Sequence, residues 1–242
     1  MTVRLVSSVE IVRIAKTAGF DALYIDLEHS AFSIQTTSQL SVMALEAGIP
    51  ALVRVPPKTQ DYIPRVLDGG ALGVIAPDVR SAAEAQDVVA AAKYPPLGHR
   101  GMSTSLAHLG FRAVPAKEAL PAMNNATMVI VQLESAAALQ SIEEIVEVEG
   151  VDLVLIGTND LLADLGRPGE YDHPKVRETY ERTIAACRKH GKHVGVGGLA
   201  SRPDLVQEFV RLGARFVSTG TDLNFLLAAC TERAKQVRSL KP

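Results

Sequence analysis

Residues 24–29 read Tyr24-Ile25-Asp26-Leu27-Glu28-His29, an apolar run that ends abruptly in two carboxylates and an imidazole. A strand buried on both faces of a parallel sheet is continuously apolar, so charge indicates where the strand leaves the core. The carboxyl ends of such strands carry the catalytic groups of barrel enzymes. Because the same pattern recurs further along the chain, we expect an active site there. The recurrences are at Arg54, Gln132, Glu134 and Asp160.

Short runs rich in β-branched residues alternate with helical patterns along all 242 residues. Eight strands that are each followed by a helix predict a (β/α)8 TIM barrel, formed by a single domain over residues 1–242. The open doubly wound sheet is the alternative, and eight units in this length favour the barrel. The predicted strands are Val3–Val6, Ala22–Asp26, Ala51–Val55, Gly73–Ala76, Thr127–Leu133, Leu153–Ile156, His193–Val196 and Phe216–Ser218.

Local signals place several helix ends. Ser7–Glu10 and Ser81–Glu84 are capping-box patterns, and a helix is expected over Ser135–Val148. Residues Tyr94–Asn125 contain no clear strand and predict a long irregular loop of the kind that often serves function. The last helix, from Asp222 to about Arg238, has apolar residues that can pack on its own barrel or on a neighbour.

Composition excludes several classes of protein. The net charge is −2 with both signs mixed along the chain, so there is neither a basic nucleic-acid footprint nor a polybasic membrane patch. No run approaches the roughly 18 apolar residues of a membrane span, and no secretory signal is recognisable, so we expect a cytoplasmic protein. Cys187 and Cys230 lie in apolar helical patterns and are expected to be buried and reduced.

Glu134 and Asp160 each follow a buried apolar run. Two carboxylates with room for water suit a hard divalent ion such as Mg²⁺ or Mn²⁺, whose other positions substrate oxygens would fill. The alternative is that both residues cap helices. Zinc is disfavoured because no Cys/His cluster has ligand spacing.

His29 is the one histidine of six that stands at a strand exit beside carboxylates. It can titrate near neutrality, and Asp26 could hold its tautomer; a core histidine with a local hydrogen bond is the alternative. Arg54 offers a planar fork for a substrate carboxylate or an oxyanion. A structural ion pair of Arg54 with Asp68 or Asp26 is compatible with that role.

The loop Gly157-Thr158-Asn159-Asp160 leads into a short helix, so its free amides could bind a substrate carboxylate. Glycine-rich turns also follow strands seven and eight, where barrels often bind phosphate. These turns have little accompanying positive charge, and plain tight turns are the favoured interpretation.

Together these residues resemble the HpcH/HpaI family of class II pyruvate aldolases, over nearly the whole chain. The Glu-His, Gln-x-Glu-Ser and Tyr-Pro-Pro elements make the resemblance specific. The matching segments are Phe20–His29, Leu52–Val55, Val66–Ala71, Tyr94–Gly101, Val131–Ser135, Val148–Asp152 and Ile156–Leu161.

The resemblance implies a barrel whose last helix is exchanged between neighbours in a homo-hexamer, a trimer of dimers. It implies that Glu134 and Asp160 hold a divalent ion (Mg²⁺, Mn²⁺ or Co²⁺) and that Gln132 lines the donor site. The expected substrates are a small 2-oxo acid, pyruvate or hydroxypyruvate, and an aldehyde, which together form 4-hydroxy-2-oxo acids.

The resemblance also implies roles for the remaining residues. Arg54 would contact the keto oxygen of the donor, and His29 would move protons, supported by Asp26 and by Asp68, which would pair with His29. No lysine stands at a candidate strand end, which disfavours a Schiff-base route.

Thr158-Asn159 departs from the Pro-Ala common in the family, and Gly197-Gly198 stands where an apolar side chain often walls the acceptor pocket, which predicts a roomier pocket. The alternatives are a citryl- or malyl-CoA-type lyase, an oxaloacetate decarboxylase, and a non-catalytic barrel.

Overall fold

In the computed structural model, which describes residues 1–103 and 105–240, eight parallel strands follow one another around one sheet in chain order. A parallel bridge between Thr2 and Thr221 connects the first strand to the segment after the last. The sheet therefore curls until its two edges meet, which confirms the predicted alternation and the barrel fold. The strands are β1 (Thr2–Val3), β2 (Leu23–Asp26), β3 (Ala51–Arg54), β4 (Gly73–Ala76), β5 (Met128–Leu133), β6 (Leu153–Gly157), β7 (His193–Gly197) and β8 (Phe216–Val217).

Helices connect the strands and cover the outside of the sheet, as parallel pairing requires. They are α1 (Glu10–Thr17), α2 (Ile34–Ala47), α3 (Tyr62–Asp68), α4 (Ala82–Ala92), α5 (Ala116–Ala126), α6 (Ala136–Gln140), α7 (Ile142–Glu147), α8 (Thr158–Asp164), α9 (Pro174–Lys189), α10 (Pro203–Leu212) and α11 (Asp222–Arg238). None of the helices in the described ranges is long and apolar enough to span a membrane.

The core has two layers because each strand presents alternate side chains to opposite faces. The outer layer, between sheet and helices, contains residues such as Val53, Val74 and Val154. The inner layer is small and fills the barrel; its members are Tyr24, Leu52, Ile75, Ile130, Leu153 and Leu155, with Ala22 and Phe216 packed against them. Polar groups thus enter the barrel only beyond this layer, at the carboxyl ends of the strands.

The segment after Tyr94 is more regular than predicted. It contains α5 and a 3-10 turn over Ala107–Leu109, so the expected loop over Tyr94–Asn125 is partly helical. The helix expected over Ser135–Val148 is divided into α6 and α7, with Ser141 between them.

Two further local predictions are wrong. Ser81 does cap α4 by accepting from the Glu84 amide, but α1 begins after Val9 without a side-chain cap, so Ser7 forms no capping box. Cys187 is buried as expected, and burial raises the pKa of its thiol to about 12, whereas Cys230 is exposed on α11.

Candidate active site

A buried ion pair connects the ends of β2 and β3. The register places Asp26 opposite Arg54. The guanidinium donates from Nε to Asp26 Oδ1 (3.0 Å) and from Nη2 to Oδ2 (2.7 Å), while Nη1 lies 2.8 Å from Glu28 Oε2. Burial raises the pKa of Asp26, but the hydrogen bonds and charge of Arg54 outweigh it, and the pKa lies below its usual value. For Glu28, burial prevails over the attraction of Arg54 and raises the pKa.

His29 does not receive the partner that we expected. Asp26 Oδ1 accepts from the backbone amides of Glu28 (3.0 Å) and His29 (3.2 Å), and Arg54 contacts both oxygens. The His29 imidazole instead has its Nε2 3.8 Å from Glu28 Oε2, and 51% of the side chain is exposed. Asp26 therefore orients Arg54 and the backbone turn that contains Glu28 and His29. The His29 imidazole remains free to face the solvent.

Side-chain oxygens that could coordinate a metal ion lie at the end of β5, on Gln132 and Glu134. Glu134 Oε1 accepts from the Asp78 amide (2.7 Å), and Gln132 Nε2 donates to Glu134 Oε2. Burial, together with the charges of Asp160 and Glu28, raises the pKa of Glu134 to about 7, despite the Asp78 hydrogen bond and the charge of Arg54. Gln132 is buried, and its Oε1 has no hydrogen-bond partner. A buried amide oxygen without a donor is costly, so this arrangement suits a ligand that supplies positive charge.

Neither Glu134 nor Asp160 has the helix-capping role that was the alternative interpretation. Ser135, not Glu134, caps α6 by accepting from the Ala138 amide. Asp160 lies within the first turn of α8, which Gly157 precedes without a side-chain cap. No cluster of three or more His, Cys, Asp or Glu able to hold a metal occurs among the described residues. Any ion here would therefore rely on two carboxylates, an amide and external oxygens.

Thr158 and Asn159, both predicted to bind substrate, have different surroundings in the structure. The Thr158 hydroxyl is buried, donates to the Gly197 carbonyl (2.7 Å) and lies 2.9 Å from the Tyr180 hydroxyl. It therefore connects the start of α8 to β7 and α9, and its side chain is unavailable to a substrate. Asn159 does line a cavity at the carboxyl ends of the strands, which is described below. Its Oδ1 accepts a hydrogen bond from the Tyr171 hydroxyl (2.9 Å).

Asp68 lies away from the other candidates. It ends α3, and a helix that follows β3 runs back toward the amino end of the barrel. Its carboxylate accepts from Arg100 Nη2 (2.6 Å), so within this chain it pairs neither with His29 nor with Arg54. The expected Asp68–His29 pair is thus replaced by an Asp68–Arg100 pair.

The remaining candidates other than Glu134 line one cavity of about 470 Å³ at the carboxyl ends of the strands, and Glu134 adjoins it through its hydrogen bond with Gln132. Glu28 borders it through Arg54, and residues that we did not predict also line it, among them Arg4, Tyr171, Ser201 and Asn224. Glu28 belongs to the hexapeptide quoted above. Arg4 carries the same strand-exit signal after Thr2-Val3, but the predicted strand Val3–Val6 enclosed it. The lining includes Arg4, Asp26, His29, Arg54, Gln132, Gly157, Asn159, Asp160, Tyr171, Gly197, Ser201 and Asn224.

Two glycines that line this cavity have no room for a side chain. A Cβ at Gly157 would lie 2.7 Å from Glu134 Oε2 and 2.8 Å from Gln132 Nε2, so glycine gives those polar groups their space. A Cβ at Gly197 would lie 2.9 Å from the Ile156 carbonyl oxygen. A side chain at position 197 would therefore strain the β6–β7 pair.

A larger open groove, of about 800 Å³, lies outside the barrel between α4 and α7. It is bordered by Val89, Leu97 and three glutamates, Glu144, Glu147 and Glu149. No buried polar atom without a partner lines it in the described part of the chain. The convergent polar groups are in the barrel, and size alone does not make the outer groove the site of chemistry.

Comparison with known proteins agrees with this geometry. The family described as HpcH/HpaI aldolase/citrate lyase matches residues 5–229. A 4-hydroxy-4-methyl-2-oxoglutarate aldolase of Hapsidospora irregularis is 38% identical over 242 residues, 99% of this chain and 90% of that protein. A 2-keto-3-deoxy-L-rhamnonate aldolase of Escherichia coli O9:H4 is 38% identical, covering 94% of this chain and 84% of the relative.

A solved structure shows the same similarity. The crystal structure of an HpcH/HpaI aldolase from Desulfitobacterium hafniense DCB-2 superposes with a TM-score of 0.92 at 34% identity, covering 99% of this chain and 92% of that one. The chain is therefore similar to this aldolase in both fold and sequence over almost its full length. The chain therefore belongs to the HpcH/HpaI aldolase/citrate lyase family, and it is an enzyme of the carbon–carbon lyase class.

Proposed function

We propose that this enzyme is a metal-dependent aldolase that forms or cleaves 4-hydroxy-2-oxo acids, from pyruvate or hydroxypyruvate and an aldehyde. The observation that carries the proposal is the partnerless, buried Oε1 of Gln132, which lines the same cavity as Asp160 and Arg54 and whose amide nitrogen donates to Glu134. The 4-hydroxy-2-oxo acid aldolases among the relatives support the substrate class.

The donor set fits a hard divalent ion. Carboxylate and amide oxygens are preferred by Mg²⁺ and Mn²⁺, and Co²⁺ accepts them as well. Glu134 and Asp160 would hold the ion, and Gln132 Oε1 would lie beside it or beside the donor. When bound, a divalent ion supplies Lewis-acid stabilisation of the negative charge that develops on the keto oxygen of the 2-oxo acid.

Arg54 supplies fixed positive charge at the same place. Asp26 holds the guanidinium through two hydrogen bonds, so its orientation is set before substrate arrives. A preorganised donor in a partly buried site stabilises a developing oxyanion without reorganisation. Asp26 is therefore a positioning residue for Arg54 in this proposal.

His29 is suited to proton transfer. In the synthetic direction His29, directly or through water, accepts the proton that leaves C3 of the 2-oxo acid. C3 then bonds to the aldehyde carbon, and the former aldehyde oxygen gains a proton. We assign that last proton to His29, directly or through water, because its half-exposed imidazole can exchange protons with solvent. No lysine is among the described residues that line the cavity, so an imine route has no candidate there.

Proton NMR of pyruvate in D₂O tests the proposal. With the purified enzyme, chelated and then resupplied with Mg²⁺, Mn²⁺ or Co²⁺, we expect metal-dependent loss of the methyl signal without any aldehyde. Glu134→Gln should reduce this exchange at least about 100-fold, because it removes a charged ligand and leaves the shape. Glu143→Gln, at an exposed glutamate that pairs with Arg182, is the matched control.

Each outcome has a defined meaning. Exchange by wild type and Glu143→Gln but not by Glu134→Gln supports the metal and donor assignments. Full exchange by Glu134→Gln overturns the ligand assignment. A methyl signal that is unchanged with every metal removes pyruvate as the donor.

We also infer that residues 1–242 form one aldolase domain and that the protein assembles as a homo-hexamer, a trimer of dimers that exchange α11. The exposed apolar residues of α11 support this inference; they are Leu223, Phe225, Leu226, Leu227 and Val237. A cytoplasmic location and the absence of nucleic-acid and membrane partners stay predictions from composition.

A further inference from the structure

Arg4 is a cation of the cavity that the proposed mechanism does not use. It follows β1 directly, at the carboxyl end of the barrel, and lines the same cavity as Arg54, Gln132 and Asp160. The residue is partly buried. Arg4 therefore borders the cavity on the side formed by β1.

The backbone that carries Arg4 is held firmly. The buried carboxylate of Asp222, at the start of α11, accepts from the amides of Arg4 (3.1 Å), Leu5 (3.0 Å) and Val6 (2.8 Å). These bonds connect residues more than 200 positions apart in the chain. The base of the arginine side chain is thus fixed, as a preorganised binding group requires.

The charge of Arg4 is not compensated inside the protein. Among the described residues, no carboxylate lies within ion-pair distance of its guanidinium, and no hydrogen bond from its side chain is found. The other arginine of the cavity, Arg54, is matched by both Asp26 and Glu28. Arg4 is therefore the guanidinium whose donors are free to bind a ligand.

We propose that Arg4 selects an acceptor aldehyde that carries a carboxylate, which it binds while the aldehyde carbon faces the donor. This inference rests on the proposed aldolase function and adds the chemical class of the acceptor. The planar fork of arginine matches a carboxylate. A phosphate dianion is disfavoured, because in the described part of the cavity lining no second uncompensated arginine or lysine accompanies Arg4.

Neighbouring groups can complete the recognition of a carboxylate. Asn224, in the first turn of α11, and Ser201, after β7, line the cavity together with Arg4. Their amide and hydroxyl groups are hydrogen-bond donors for the carboxylate oxygens that the guanidinium leaves free. Arg4 is thus a specificity residue, separate from the groups assigned to the chemistry.

Two pairs of acceptors of equal carbon number test the proposal, with pyruvate as donor. They are glyoxylate against acetaldehyde and succinic semialdehyde against butanal, so that two distances between the carboxylate and the aldehyde are sampled. We expect wild type to favour the acidic member of at least one pair in kcat/KM. Arg4→Gln should lower that preference about 10- to 100-fold, as expected for loss of a charge-assisted hydrogen bond.

Control variants separate recognition from general damage. Arg4→Lys, which keeps the charge and loses the fork, should retain part of the preference. Arg13→Gln removes an exposed arginine on α1 that lines no part of this cavity and should leave the preference unchanged. An equal loss of kcat/KM for acidic and neutral aldehydes in Arg4→Gln overturns the inference, as does the absence of any acidic preference in wild type.

The aldehyde-free exchange of pyruvate protons keeps the two proposals distinguishable. If wild-type enzyme shows no metal-dependent exchange, the donor assignment fails, whatever Arg4 does. If wild-type enzyme exchanges pyruvate protons but shows no preference for acidic aldehydes, only the role of Arg4 is overturned.

Discussion

Arg54 shows how one side chain connects the stability of the barrel with its chemistry. It is almost fully buried beside Asp26, whose side chain is completely inaccessible, and it also contacts Glu28. A buried charge without a partner is far more costly than the pair itself. Arg54 therefore offsets part of the negative charge of two neighbouring acids, and it also lines the cavity.

A double-mutant cycle on Arg54 and Asp26 measures this coupling. Arg54→Met should lower the free energy of unfolding by about 3–5 kcal/mol, because Asp26 remains buried and charged. Adding Asp26→Asn should restore part of that loss, since the uncompensated charge is gone. Urea denaturation of the wild type, both single variants and the double variant gives the coupling energy, and additive losses would contradict it.

A second prediction at the scale of one residue concerns Gly157. Gly157→Ala places a methyl group against Glu134 Oε2 and Gln132 Nε2, both ends of side chains that can shift. We expect kcat/KM to fall about 10- to 100-fold through displaced donors, as misplacement by about 1 Å can cause. Circular dichroism should be unchanged. A control at Gly101→Ala meets no atom within 4 Å, and a fully active Gly157→Ala would contradict the prediction.

At the scale of elements, β1 is shorter than its sequence pattern indicates. The amides of Arg4, Leu5 and Val6 donate to Asp222 instead of to a neighbouring strand. A side chain from α11 thus replaces the last part of the β1 ladder, next to the Thr2–Thr221 bridge. The contact holds the first and last elements of the barrel together.

Asp222→Ala tests this replacement. It leaves three amides without their charged acceptor, so we expect the free energy of unfolding to fall by roughly 3 kcal/mol. Chemical denaturation measures the loss. Asp204→Ala removes an exposed aspartate whose partner is Arg202 on the surface and should cost less than about 1 kcal/mol. Equal effects of the two substitutions would show that Asp222 does not close the barrel.

Across the whole molecule, exposed large apolar side chains are concentrated on α11. Monomeric proteins rarely expose extended apolar patches, and such patches often bind other chains. The α11 helix contacts its own barrel through Phe225, whose ring centroid lies 6.0 Å from that of Phe20. Its other apolar side chains, including Leu226 and Leu227, remain exposed on the single chain. This distribution agrees with the inferred assembly through α11.

The double variant Leu226→Glu/Leu227→Glu should dissociate that assembly into smaller species, because it places two charges in an apolar contact. Size-exclusion chromatography with light scattering gives the mass of each species. Ile14→Glu, at an exposed apolar residue of α1, tests whether any added surface charge has the same effect. An unchanged mass of the Leu226/Leu227 variant would exclude α11 from the interface.

Much of the architecture follows from the sequence alone, because strand and helix periodicities are local properties of the chain. The alternation that forms the barrel, the bounds of α11 and the placement of charge at the ends of β2, β3, β5 and β6 were all predictable in this way. The family was also recognisable from short motifs such as Gln132-Leu133-Glu134-Ser135. These features require no knowledge of which strands face one another.

Only the tertiary structure decided which polar groups meet. Asp26 pairs with Arg54 because the register of β2 and β3 aligns them, so the carboxylate assigned to His29 serves the guanidinium. Thr158 points into the core, and Asp68 lies at the opposite end of the barrel. Arg4 entered the site because Asp222 binds its backbone from the other end of the chain. Such contacts depend on packing between distant segments, about which local sequence patterns carry no information.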